Sequence, residues 1–178
     1  MMLHEPSATA GEAEMLLFAL ERSRAQFAWK AGGLDAAGLR RAQPPSTLTL
    51  AGLLKHLALV EELYTIDFTG RAPGPPLDVP EAATDPEWVW RTAAADSPEY
   101  LYELWHGAAA RNRAALAAAL ADGGLDQPGK YRTDEHGVAP NLRRLVVDLH
   151  DEYARHVGHA DLLREAVDGL VGEDPPLS

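Results

Sequence analysis

Cysteine is absent from this chain of 178 residues. Its absence excludes disulfide bonds, zinc sites built from thiolates and catalysis by a cysteine nucleophile. It says little about the cellular compartment, because proteins of any compartment can do without cysteine. The candidate chemistry must therefore come from other side chains.

Aromatic residues make up only 7% of the chain, and isoleucine and threonine are sparse. Alanine and leucine dominate instead, which favours helices over strands. The apolar fraction of 46% and the charged fraction of 24% are typical of a folded protein rather than a disordered one. The composition therefore predicts an all-α fold.

Basic residues are scarce relative to acidic ones, with 16 Lys and Arg against 27 Asp and Glu and a formal net charge of −11. Phosphate binding needs clustered Lys and Arg, so the charge argues against nucleic acid as a partner. It equally disfavours the surface of an anionic membrane.

Long apolar runs are also missing. The longest near the N-terminus, MLLFAL at 15–20, is far too short to span a bilayer and lacks a basic segment before it. We therefore expect neither a membrane anchor nor a signal peptide, and a cytoplasmic protein.

Helical periodicity marks four long segments. They are, approximately, 11–31, 46–68, 97–121 and 140–169, and a short turn of helix is expected within 34–42. Ser97 and Pro98 are good residues to begin the third long helix. The segment 71–88 is rich in Pro and Gly and is predicted to be irregular. We predict a four-helix bundle with this long crossover between helices two and three, in a single domain spanning 1–178. Its core covers about 11–170, the termini are flexible, and a homodimer is plausible.

Three polar residues lie among the leucines of the fourth helix. At about 100° per residue, Glu152, His156 and His159 lie within about 60° of one line, on the predicted buried side. Burying them is costly unless a partner or a cation satisfies them. Glu152 and His156 have the i, i+4 spacing that directs two side chains towards one point.

His56 is predicted to face the core from the second long helix, on the same side as Leu63, whereas Lys55 and Glu62 point away. If the two helices are neighbours, His56 can supply a third ligand. Two imidazoles and one carboxylate suit a divalent transition metal such as Zn, Ni or Fe. His159 would then be a fourth ligand, a hydrogen-bond partner of a ligand, or a proton acceptor.

The competing interpretation is that these side chains are partly solvated and hydrogen-bonded, without a metal. The remaining histidines are expected to be solvated; they are His4, His106, His136 and His150. Trp88 and Trp90 lie in the crossover, where they either pack over the end of the bundle or form the wall of a ligand pocket.

Two segments together resemble a known family. TLTLAGLLKHLALVEELY (47–64) and DLHDEYARHVGHADLLREAVDG (148–169) are similar to the DinB/YfiT-like metalloenzyme superfamily, in the branch related to mycothiol-dependent maleylpyruvate isomerase. The resemblance covers about 12–170. It implies a four-helix bundle with a divalent metal, whose ligands correspond to His56, Glu152 and His156. Many DinB-like relatives use three histidines and carry HRGQ where this chain has 156–159, so His159 occupies the position of their glutamine.

The resemblance further implies reactions with a low-molecular-weight thiol such as mycothiol. Because the chain has no cysteine, a thiol nucleophile must come from this cosubstrate. We therefore expect a metal-dependent S-transferase or isomerase acting on a small molecule, with zinc ahead of nickel or iron and His159 as the candidate catalytic residue. The alternatives are a metal-dependent hydrolase of a small substrate and a non-catalytic metal-binding or structural bundle. A DNA-associated protein, which the name of the superfamily suggests, is disfavoured by the net charge.

Overall fold

The computed structural model describes residues 4–72, 74 and 77–175, and this part of the chain is helical without a β-strand. Its helices are α1 (Glu12–Ala31), α2 (Ala36–Arg40), α3 (Leu50–Thr69), α4 (Pro80–Thr84), α5 (Trp88–Ala93), α6 (Pro98–Gly123) and α7 (Leu142–Asp168). The all-α prediction is confirmed. The arrangement of the long helices as a four-helix bundle stays a prediction, as does the single domain.

The long helices lie close to the predicted ranges, although α3 begins at Leu50 rather than at 46. The hydroxyl of Ser97 accepts a hydrogen bond from the backbone N–H of Tyr100, and Pro98 is the first residue of α6. Gly124 and Gly169 follow α6 and α7 with φ angles of 70° and 78°. A positive φ is inexpensive only for glycine, which favours the end of both helices there.

The crossover is more ordered than predicted. The segment 71–88 was expected to be irregular throughout, but α4 lies inside it and α5 begins at its last residue. Pro80 is the first residue of α4, a position where its missing N–H costs nothing and its fixed φ suits a helix. The prediction was wrong here because proline was interpreted only as a helix breaker. Pro73, Pro75 and Pro76, on which the same prediction also rested, lie outside the described residues.

The chain divides into two compact units, of which the first comprises the chain up to Leu50 and from Val146 onward. The rings of Phe27 and Tyr153 meet edge to face at 6.2 Å in its core. The guanidinium of Arg164 donates to the carbonyls of Lys30 and Gly32 at 3.0 and 2.7 Å. These carbonyls lie at the end of α1, where no helical N–H is available to them, so the side chain of Arg164 stabilises that end.

The C-terminal segment is in contact with α1 within this first unit. The carboxylate of Asp174 accepts hydrogen bonds from Arg22 at 3.0 Å and from Gln26 at 2.9 Å. The termini were predicted to be flexible. Part of that prediction concerns residues 1–3 and 176–178, which lie outside the described residues.

The second unit runs from Ala51 to Leu145 and contains α4 to α6 and most of α3. Within it, the side-chain amide of Asn112 on α6 donates to the carbonyl of Glu61 and to the hydroxyl of Thr65 on α3. Asn112 is fully buried, so these two bonds satisfy a polar group that would otherwise be costly to bury.

The predicted faces of α3 are partly wrong. Lys55 and Glu62, expected in solvent, are only 4% and 5% exposed, whereas Leu63, expected in the core, is 44% exposed. The ammonium of Lys55 binds Asp96 at 2.6 Å, and Glu62 accepts from Arg111 at 2.6 Å. Partners on other segments cover the charged side of the helix, which its own sequence does not reveal.

No helix in the described part of the chain combines the length and the apolarity needed to cross a membrane. The expected cytoplasmic localisation stays a prediction.

Candidate metal centre

Helix α7 positions Glu152 and His156 one turn apart. Nε2 of His156 lies 3.5 Å from Oε2 of Glu152, so the i, i+4 spacing brings the two side chains towards one point as predicted. The side chain of His156 is 8% exposed and that of Glu152 32%. The imidazole is therefore shielded while the carboxylate remains within reach of solvent.

His159 approaches the other nitrogen of the same ring. The Nδ1 atoms of His156 and His159 are 3.2 Å apart, so one of them donates a hydrogen bond to the other. If Nδ1 of His156 carries the proton, its Nε2 is left with a lone pair that faces Glu152. That tautomer is the one suited to a metal ligand whose second nitrogen is held by a neighbour.

His56 is half-buried on α3, and its Nε2 atom is shielded from solvent. It was predicted to face the core. The next residues along one side of the helix are, however, less buried: Leu59 is half-buried and Leu63 is exposed. This side is the least covered part of the otherwise buried first three turns of α3. The imidazole of His56 stacks on the indole of Trp90, with ring centroids 4.8 Å apart and planes inclined by 21°.

One ligand atom from each of His56, Glu152 and His156 lies within 4.8 Å of the other two, so that these residues could hold a metal ion. Two ligands of one ion at about 2.1 Å each can be no more than about 4.2 Å apart, so small side-chain rotations suffice. Two imidazole nitrogens and a carboxylate oxygen form a donor set that suits zinc, nickel or iron. The residues therefore fit a divalent transition metal. His159 does not belong to this group of donors among the described residues.

The other histidines lie where the sequence indicates or close to it. His4, His106 and His136 are exposed, and His150 is half-buried on α7. None of the four belongs to the group of donors among the residues that the structure describes.

The stacking of Trp90 on His56 is the feature of this site that sequence analysis did not predict. The sequence left Trp88 and Trp90 as packing or pocket residues, because the helix that carries them was not predicted. Trp88 contacts Lys55, whose ammonium lies 4.7 Å from the centroid of the indole. The two tryptophans at i, i+2 were a sequence signal for aromatic contacts, but the sequence did not identify the partner of either ring.

Comparison with known proteins agrees with the resemblance drawn from the motifs. A family model described as mycothiol-S-transferase matches residues 15–169, which is most of the chain and includes the three donors and His159. No curated protein was found to match. The family is DinB-like. The chain belongs to the mycothiol S-transferase family.

Proposed function

We propose that this protein is a metal-dependent enzyme with a mycothiol-type thiol as cosubstrate. It either transfers the thiol to a small molecule or uses the thiol to isomerise one. His56, Glu152 and His156 hold the divalent metal, with zinc ahead of nickel or iron. The observation that carries the proposal is the convergence of three suitable donors within 4.8 Å. Membership of the mycothiol S-transferase family supports the thiol as cosubstrate.

The chemistry of the thiol agrees with the composition of the chain. The protein has no cysteine, so the sulfur nucleophile has to be supplied by the cosubstrate. A divalent cation, when bound, favours the ionised form of a thiol at neutral pH, as it does for water. The side chain of Glu152 is one-third exposed, so its carboxylate is within reach of a small molecule from solvent.

The first role of Glu152, His56 and His156 is to hold the metal and so to orient the reactants. Each contributes one donor atom. When Nδ1 of His156 is the donor in its contact with His159, the ring of His156 is held in the tautomer that leaves Nε2 available. The carboxylate of Glu152 has a second oxygen that can accept the proton released by the thiol. Holding two reactants in the right geometry lowers the barrier of a two-substrate reaction, because the reactants no longer have to meet in solution.

His159 is proposed as the catalytic residue, and its hydrogen bond decides which proton transfer it can make. When Nδ1 of His159 accepts from His156, the neutral ring carries its own proton on Nε2. His159 then donates from Nε2 to the electrophile or its leaving group, rather than accepting a proton there. The orientation of His156 and the delivery of a proton are separable functions of the two nitrogens.

Two substitutions separate these functions. The amide of His159→Asn can accept from His156 near the position of Nδ1 but has nothing at the position of Nε2. We expect His159→Asn to keep the metal and to lose about 10²- to 10⁴-fold in turnover, the usual contribution of a general acid. His159→Ala should lose both turnover and about 10-fold or more in metal affinity. Equal turnover in His159→Asn and wild type would contradict the catalytic role.

The metal is tested by elemental analysis of protein purified without a histidine tag. We expect about one divalent metal per chain in the wild type and in His136→Ala, whose side chain is exposed and outside the donor group. His56→Ala and His156→Ala should each lose most of it, because removing one of three protein ligands leaves too few donors. A wild type without metal, or two variants that both retain it, would contradict the site.

Binding and turnover assays on the same purified protein distinguish the alternative functions. A thermal shift caused by mycothiol-type thiols, with turnover that requires the thiol, supports the proposal. Turnover without any thiol would indicate a metal-dependent hydrolase instead. The third outcome is a wild type that carries metal but turns over no substrate, with or without thiol. If His56→Ala then lowers the melting temperature, the protein is a non-catalytic metal-binding bundle.

A further inference from the structure

The ring of His56 has a neighbour that controls its plane. Its imidazole and the indole of Trp90 are 4.8 Å apart between centroids and only 21° from parallel. The torsion that rotates an imidazole about its Cβ–Cγ bond is broad and has two minima, so a histidine ring without a stacking partner changes orientation readily. A half-buried indole lying against one face of His56 restricts this rotation.

The segment that carries Trp90 is attached to α3 directly beside His56. The ammonium of Lys55 binds the carboxylate of Asp96 at 2.6 Å and lies 4.7 Å from the ring centroid of Trp88. Trp88 and Asp96 flank Trp90 in sequence, two residues before it and six after it. Since Lys55 precedes His56, both ends of the segment 88–96 are tied to the residue next to the candidate ligand.

We propose that Trp90 is a positioning residue for the metal site. Its indole holds the plane of His56 in the orientation that brings one nitrogen of the ring within 4.8 Å of the other two donors. This inference rests on the proposed function, because it requires a metal at His56. A ligand that is oriented before the ion arrives loses less conformational freedom on binding, so the ion binds more tightly.

Metal affinity of the apo-protein measures this effect without reference to turnover. Zn²⁺ is titrated against a chromophoric chelator in wild type, Trp90→Leu, Trp90→Phe and Trp29→Leu. Trp29 is a matched control, since it is also half-buried and contacts a lysine, Lys30, at 4.4 Å. We expect Trp90→Leu to weaken Zn²⁺ binding by about 3- to 30-fold, within the range for stacking partners and for residues that orient ligands. Trp90→Phe, which restores an aromatic face, should lie within about 3-fold of wild type. Trp29→Leu should match wild type. Equal affinity in Trp90→Leu and wild type would overturn the proposal.

Tryptophan fluorescence gives a second measurement, which tests the stacked geometry on which the proposal rests. Ni²⁺ or Co²⁺ bound at His56 should quench the indole stacked on that ring. Trp90→Phe should therefore lose most of the metal-dependent quenching while still binding the ion. Quenching that is unchanged in Trp90→Phe would contradict the stacked geometry. Because Trp90→Phe keeps an aromatic face, this measurement can still contradict the proposal if Trp90→Leu does not fold.

The two proposals fail in different ways. A wild-type protein that binds no Zn²⁺ refutes the metal site itself, and with it the proposed function. A wild type that binds Zn²⁺, together with Trp90 variants whose affinity and quenching match it, refutes only the positioning role. Melting temperatures of the apo-variants show whether a loss of affinity reflects unfolding, since Trp90→Leu should lose affinity even where its melting temperature stays close to that of Trp90→Phe.

Discussion

The ion pair between Lys55 and Asp96 is the most informative target for a stability measurement. Its nitrogen and oxygen are 2.6 Å apart, and the side chain of Lys55 is 5% exposed against 21% for Asp96. At an effective dielectric constant of about 20, two charges at this distance attract each other by about 6 kcal/mol before the cost of removing them from water. Removing one member of such a buried pair typically costs about 3–5 kcal/mol, because the other charge stays behind.

The unequal exposure of the two groups predicts an unequal response. Asp96→Asn leaves the ammonium of Lys55 buried without this carboxylate, although it still contacts the indole of Trp88. Because a buried charge has then lost its counter-charge, we expect a loss of about 3–5 kcal/mol in the free energy of unfolding. Lys55→Met leaves a carboxylate that water can reach, and an apolar chain that fills the same space. We expect this variant to lose about 1–3 kcal/mol.

Urea denaturation followed by circular dichroism measures both values at about pH 7, with Lys130→Met, an exposed lysine, as the control. The control should change the free energy of unfolding by no more than about 0.5 kcal/mol. The double variant of Lys55 and Asp96 should lose less than the sum of the two single losses, since the pair is broken only once. A loss below about 0.5 kcal/mol in Asp96→Asn would refute the reasoning, because that is the value expected of an exposed pair.

Two further predictions concern side chains away from the donors. Leu57 is fully buried and Leu63 is 44% exposed, so Leu57→Ala should destabilise the protein by about 2–5 kcal/mol and Leu63→Ala by less than about 1 kcal/mol in the same urea assay; equal losses would contradict the observed orientation of α3. The hydrogen bond from Arg164 holds the pKa of Asp168 below its usual range. This carboxylate therefore stabilises the fold above its unfolded pKa of about 3.9, and the contribution disappears as the pH falls through the lower folded pKa. The difference in urea midpoint between wild type and Asp168→Asn should accordingly be larger at about pH 7 than at about pH 2, and an equal difference at both would contradict the assignment.

Much of the helical structure could be predicted because its signals are local. Ser97, Pro98 and the glycines after α6 and α7 act through the backbone of their own turn, so composition and spacing suffice to find them. The spacing of Glu152 and His156 is also a property of one helix, and it holds in the structure. The prediction erred for 71–88, where proline begins a short helix as well as ending others.

The faces of α3 could not be predicted in the same way. A helical projection assigns Lys55 and Glu62 to solvent because it counts only residues of that helix. Their burial depends on Asp96 and Arg111, which lie 41 and 49 residues further along the chain. A charged side chain stays buried only where a partner of opposite charge meets it, and the position of that partner is a tertiary property.

The sequence by itself determined that this chain is helical, approximately where its long helices lie, and that α7 presents a carboxylate and an imidazole one turn apart. It also indicated the DinB-like family through the motifs around His56 and Glu152, and the family model matches residues 15–169. The tertiary structure decided which side of α3 is covered, that the indole of Trp90 lies on His56, and that the ring of His159 meets Nδ1 of His156. The physical reason is that backbone hydrogen bonding acts within a few residues, whereas burial, stacking and the choice of histidine tautomer depend on groups that only the folded chain brings together.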